Sequence, residues 1–107
     1  MRFLAAFLLI CSCHAEKFIV TAFCQCSICC GKWAKYNRTA SGAKPVEGIT
    51  CAAPRRIPFG TKLKIEGVGV RIVQDRTSIL YGDRIDIYFN SHKDALKFGK
   101  RRLEVTK

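Results

Sequence analysis

A chain of 107 residues holds one domain at most. Its 19 Lys and Arg against 8 Asp and Glu give a net charge of +11, which favours an anionic partner at long range. The longest apolar run, residues 3–13, is too short to cross a bilayer as a helix.

The opening MRFLAAFLLICSCHA has a positive start at Arg2, an apolar stretch and small residues around Ala15. It reads as a secretory signal peptide over residues 1–15, leaving residues 16–107 as the mature domain. Removal takes away Arg2 and no acid, so the mature chain stays strongly basic. A secreted, periplasmic or cell-envelope location follows, with no membrane span after processing. Nucleic acid and anionic cell-wall polymers both suit the charge. No nucleic-acid recognition motif is present, so a specific nucleic-acid partner is not expected.

Residues 17–23 (KFIVTAF) are β-branched and aromatic and read as a strand. Residues 24–48 read as a long loop, and its cysteines pose the main local question. Cys24, Cys26, Cys29 and Cys30 fall within seven positions, and Cys51 follows later. A four-thiolate zinc site usually draws on two separated knuckles, and this loop is one. The CxxC at Cys26 and Cys29 lacks a thioredoxin-type strand–helix unit behind it. In an exported small domain, clustered cysteines are usually oxidised. One or two structural disulfides among Cys24, Cys26, Cys29, Cys30 and Cys51 are therefore expected, with the connectivity open and one thiol left over. No metal ligand and no cofactor is expected.

A short apolar strand is expected over residues 49–53, then a turn at Pro54 and IPFG (57–60). TKLKI (61–65) alternates, Glu66-Gly67 marks a hairpin, and VGVRIVQ (68–74) returns. A loop runs over 75–82. RIDIYF (84–89) alternates strictly, placing Ile85, Ile87 and Phe89 on one face and Arg84, Asp86 and Tyr88 on the other. Ser91 is a fitting N-cap for a short helix over 92–99, and a last strand covers 101–106. About six short strands and one short helix point to a mainly β, small closed barrel.

Aspartate is poorly suited to strands, so Asp86 within RIDIYF needs a reason. An ion pair with Arg84 or another basic residue is the plain one. Asp83 is most simply a turn residue, and Asp75 could cap the loop that follows it.

The run IPFGTKLKIEGVGVRIVQDRTSILYGDRIDIYFNSHKDALKFGKRRLEV closely resembles the three-aspartate (3D) domain. Thr21-Ala22-Phe23 is similar to that family's TAY-like strand, Thr39-Ala40-Ser41-Gly42 to its TASG element, and CQCSICCG to its cysteine-rich members. The resemblance implies a six-stranded double-psi β-barrel, shared with the catalytic domain of membrane-bound lytic transglycosylase A and with rare lipoprotein A. It implies action on peptidoglycan glycan strands. The family's second aspartate falls on Asp75 and its third, the catalytic acid of lytic transglycosylases, on Asp86. Its first falls on Ala53. Relatives commonly carry DTGGAIKG where this chain has DRTSILYG.

What the resemblance implies is a lytic transglycosylase that cleaves the MurNAc–GlcNAc bond to 1,6-anhydro products; the chain itself is expected to be a monomer. One carboxyl group suffices for that reaction, because the sugar's own 6-hydroxyl is the nucleophile. Asp86 is expected to serve as acid and then base, with Asp75 orienting it or the substrate. Asp86 would then need a raised pKa, so Arg84 is expected to point elsewhere. Thr21, Tyr88, Thr39 and Ser41 are candidate substrate-binding residues. The alternative is a non-catalytic glycan-binding barrel, with an aromatic strip from Trp33, Tyr36 and Tyr81 stacking on sugars.

Overall fold

The computed structural model describes residues 15–107. The expected signal peptide lies outside the described residues, apart from Ala15, which begins the first strand. Six strands form a closed barrel: β1 (Ala15–Phe23), β2 (Thr50–Ala53), β3 (Lys62–Ile65), β4 (Gly69–Arg76), β5 (Arg84–Tyr88) and β6 (Arg101–Thr106). Their order around the ring is β1-β5-β2-β4-β3-β6, with β6 pairing back to β1. The pairs β1–β5 and β2–β4 are parallel, the second nested within the first in sequence, and the remaining pairs are antiparallel. This is the mainly β, closed six-strand architecture that the short alternating segments predict.

Alternation explains how each strand turns one face inward. Phe18 and Val20 of β1, Leu63 and Ile65 of β3, Val73 of β4, Ile85 and Ile87 of β5 and Val105 of β6 fill one core. All four residues of β2 are buried. That strand sits between β4 and β5, and its small side chains, Thr50-Cys51-Ala52-Ala53, let its neighbours close over it. Closure removes free sheet edges, which a small barrel would otherwise have to protect.

The helical parts are short. α1 (Ser27–Cys30) is a single turn, followed by a 3-10 stretch over Gly31–Tyr36. The segment expected to be loop thus carries helical turns in its first part. A second 3-10 turn, Ile79–Tyr81, sits in the β4–β5 connection. α2 (His92–Phe98) starts on Ser91, whose hydroxyl accepts from the Asp94 amide at 3.0 Å. It stops at Gly99, whose φ of 69° suits a residue without a Cβ.

Candidate active site

The site is built by strand register. Thr21 of β1 stands opposite Asp86 of β5. Asp86 stands opposite Ala52 of β2. A register shift between Cys51 and Ala52 then sets Ala52 opposite Asp75 of β4. Thr21, Asp86, Ala52 and Asp75 therefore form one row across four neighbouring strands. Register partners present their side chains to the same face of a sheet. Both aspartates thus project from one side, separated by a single strand that carries only a methyl group there. Adjacent strands lie ~4.8 Å apart, so the two aspartate backbones are ~10 Å apart. The extra residue is Gln74 of β4, and without that bulge Asp75 would be out of step with this row.

A groove opens over the row. Its narrower lobe, about 380 Å³, is lined by Asp75, Asp86, Ala52, Ser78, Tyr81 and Arg84 among others. Its wider lobe, about 880 Å³, continues past Asp75, Arg76 and Thr77 to Tyr36, Arg38 and Thr39. Cys29 and Cys30 form part of the wall of both lobes.

Asp86 accepts a hydrogen bond from the Thr21 hydroxyl. The same hydroxyl accepts from Arg84 Nε at 2.9 Å. Arg84 Nε also lies 3.5 Å from Asp86 Oδ1, and the Asp86 side chain is 18% exposed. The expectation that Arg84 points away is therefore corrected. Arg84 and Asp86 are alternate residues of one strand, so they leave it on the same face. The guanidinium then folds over the Tyr81 ring, 4.3 Å from its centroid, which holds it beside the carboxylate. Its Nε proton goes to Thr21 and leaves the Asp86 contact an ion pair.

Asp75 is held differently. Its Oδ1 accepts from the backbone amides of Ala40 and Arg76, both at 2.9 Å. Burial pushes its carboxyl above the ordinary aspartate range, helped by the charge of Asp86 and opposed by the two amide donors and Arg76. The TASG segment supplies one of those donors and is itself hydrogen-bonded in place. The Thr39 hydroxyl donates to the Ala43 carbonyl at 3.1 Å and lies 3.0 Å from the Ser41 hydroxyl, and the Ser41 amide donates to the Gln74 carbonyl at 3.1 Å. Thr39 and Ser41 thus build the cradle for Asp75, and Thr39 also lines the wider lobe.

Tyr88 is not among the residues lining either lobe. It is 6% exposed, and its ring meets Phe23 edge-on at 5.5 Å. Burial raises its hydroxyl pKa. Of the aromatic strip, Tyr81 and Tyr36 reach the groove, while the Trp33 side chain lies outside the described ones. Ala53, where the resemblance puts the family's first aspartate, is sealed in the core, and the carboxylates lining the groove are those of Asp75 and Asp86. Sequence reading missed two contributors. Ala52 matters only through register. Arg76 donates to the carbonyls of Ile57 at 2.7 Å and Pro54 at 3.2 Å, and so fixes the IPFG turn beside the groove.

The cysteine expectations also change. All five described cysteines are free thiols. Cys51 is fully buried among the core side chains, where burial pushes its thiol up to about 12. It is therefore not a partner for the 24–30 segment. Cys30 donates to the Cys24 carbonyl at 3.2 Å. Cys24, Cys26 and Cys29 converge instead on His92, and the ligand atoms of all four lie within 4.8 Å of one another. These four residues are a candidate metal centre, where the sequence led to no expected metal ligand. His92 was legible as a helix start, but nothing local linked it to cysteines more than sixty positions away.

Among known proteins, the chain is 30% identical over 85 residues to a Bacillus subtilis (strain 168) protein, YabE, whose name describes it as a cell wall shaping protein. The match covers 76% of this chain and 19% of that protein, so the chain spans about a fifth of the relative's length. The 3D domain model matches residues 49–107, which contain Ala52, Asp75, Asp86 and His92. That is more than half of the sequence, and the chain belongs to the 3D domain family.

Proposed function

We propose that this chain is an exported, monomeric peptidoglycan-cleaving barrel of the lytic transglycosylase type. The observation that carries the reading is the row Thr21–Asp86–Ala52–Asp75, two carboxylates facing one groove across a strand that offers only alanine. A glycan strand would lie along the two joined lobes, over Tyr81 at one end and Tyr36 at the other. Asp86 would give its proton to the oxygen of the MurNAc–GlcNAc bond. As carboxylate, it would then take the proton of the sugar's 6-hydroxyl while that oxygen closes the 1,6-anhydro ring. Thr21 fixes the Asp86 rotamer through its hydrogen bond. Asp75, with its raised pKa, would orient the substrate or Asp86. The name of the YabE relative supports a cell-wall substrate.

The second reading is a non-catalytic glycan-binding barrel. One observation favours it: Arg84 stands in ion-pair distance of Asp86, and ion-paired carboxylates are poor proton donors.

Mass spectrometry of digested peptidoglycan separates the two. An enzyme releases anhydro-muropeptides, and Asp86→Asn lowers their rate of release by ~10²-fold or more. Co-sedimentation of wild type with peptidoglycan, without any anhydro product, would establish the binder.

A further inference from the structure

We propose that Cys24, Cys26, Cys29 and His92 form a structural zinc site that clamps the wall of the groove to the barrel. The topology brings the four together. β1 and β5 run parallel, with Phe23 opposite Tyr88 and the Phe89 amide donating to the Phe23 carbonyl at 2.9 Å. The two strands therefore end at the same rim. Cys24 leaves the end of β1, and His92 starts the helix that follows β5.

The donor atoms outline a tetrahedron. His92 Nδ1 lies 3.6 Å from Cys24 Sγ, 3.4 Å from Cys26 Sγ and 3.4 Å from Cys29 Sγ. Cys24 Sγ lies 3.0 Å from Cys26 Sγ and 3.5 Å from Cys29 Sγ. A tetrahedral zinc with Zn–S of ~2.3 Å and Zn–N of ~2.0 Å has S···N edges of ~3.6 Å and S···S edges of ~3.8 Å. The S···N edges are at that scale, while the sulfur edges from Cys24 are shorter, by ~0.8 Å to Cys26 and ~0.3 Å to Cys29, as in a cluster that has yet to open around the ion.

A disulfide would use two sulfurs and give no reason for the third, or for one imidazole nitrogen equidistant from all three. The Cys29 amide donates to Cys26 Sγ at 3.4 Å, the kind of outer contact that fixes a ligating thiolate. Three soft thiolates and an imidazole at tetrahedral spacing select zinc over calcium or magnesium. Four protein ligands leave no open position, which marks the site as structural. Binding releases the three thiol protons to solvent and involves no electron transfer. Cys30 and Cys51 stay outside the set, one bonded to a backbone carbonyl and one in the core.

The test uses the full chain purified with its cysteines reduced. Elemental analysis should find one zinc per chain. Replacement by Co²⁺ should give the visible bands of a tetrahedral ion and thiolate-to-metal charge transfer in the near ultraviolet. Cys30→Ser should bind Co²⁺ as the wild type does, whereas His92→Ala and Cys29→Ser should bind it at least ~10-fold more weakly. Chelation should lower the wild-type melting temperature by on the order of 10 °C. Wild-type protein without stoichiometric zinc and without the cobalt charge-transfer band would overturn the proposal, whatever the variants do. So would an intact mass showing paired cysteines after purification with zinc supplied. None of these readouts depends on glycan cleavage.

Discussion

At the scale of single residues, the two groove aspartates differ in what surrounds them. Asp86 is tied to Thr21 and faces Arg84. Asp75 is held by two backbone amides, and its pKa is raised mainly by burial. A carboxyl raised in the folded state adds stability while it is protonated, below its unfolded value. That stability is lost as pH rises through the folded value. In Asp75→Asn the amide oxygen can still accept from Ala40 and Arg76, because both donors reach the same atom, Oδ1. The variant should therefore melt higher than wild type at neutral pH, and the gap should close in acid. Paired thermal melts across that range check it. A gap that does not change with pH would mean that ionisation of Asp75 is not its source.

At the scale of elements, α2 is the piece on which most depends for its size. It is seven residues long, too short to persist alone, so its capping matters. Ser91 accepts from the Asp94 amide, and Asp94 itself sits in the first turn, where a negative charge suits the helix dipole. Ser91→Ala should cost about 1 kcal/mol, a fall of ~5 °C in melting temperature for a domain of this size. Because His92 is the first helical residue, the same variant should also weaken cobalt binding modestly. Urea melts in the presence and absence of metal separate the two effects. An unchanged midpoint in both would show that the cap contributes nothing. The β4–β5 connection is the other telling element. DRTSILYG reads as a plain loop, yet Ser78 caps a 3-10 turn in it through the Leu80 amide. That turn carries Tyr81 under Arg84, which is how a guanidinium comes to rest beside Asp86.

At the scale of the whole molecule, the charge of +11 acts over the distance that salt allows. Above ~0.1 M ionic strength the screening length falls below about 10 Å. Attraction to anionic wall polymers should then weaken steeply with added salt, while contacts inside the groove should be affected much less. Sedimentation with purified cell walls, with and without their anionic polymers, across a salt series checks this. Binding that ignores salt would assign the affinity to the groove alone.

The sequence by itself determined the strands, because alternation of Leu63 and Ile65 or of Ile85 and Ile87 is a local, period-two signal that hydrophobic burial enforces. It also determined the helix start at Ser91 and, through the family pattern, which aspartates to examine. Tertiary structure alone decided the rest. The bulge at Gln74 in β4 that aligns Ala52 with both Asp75 and Asp86 is a matter of register between distant strands. The burial of Cys51 follows from barrel closure. The meeting of His92 with Cys24, Cys26 and Cys29 follows from two parallel strands ending at one rim. Periodicity along a chain records which face is apolar; it carries no information on which distant side chains that face will bring together.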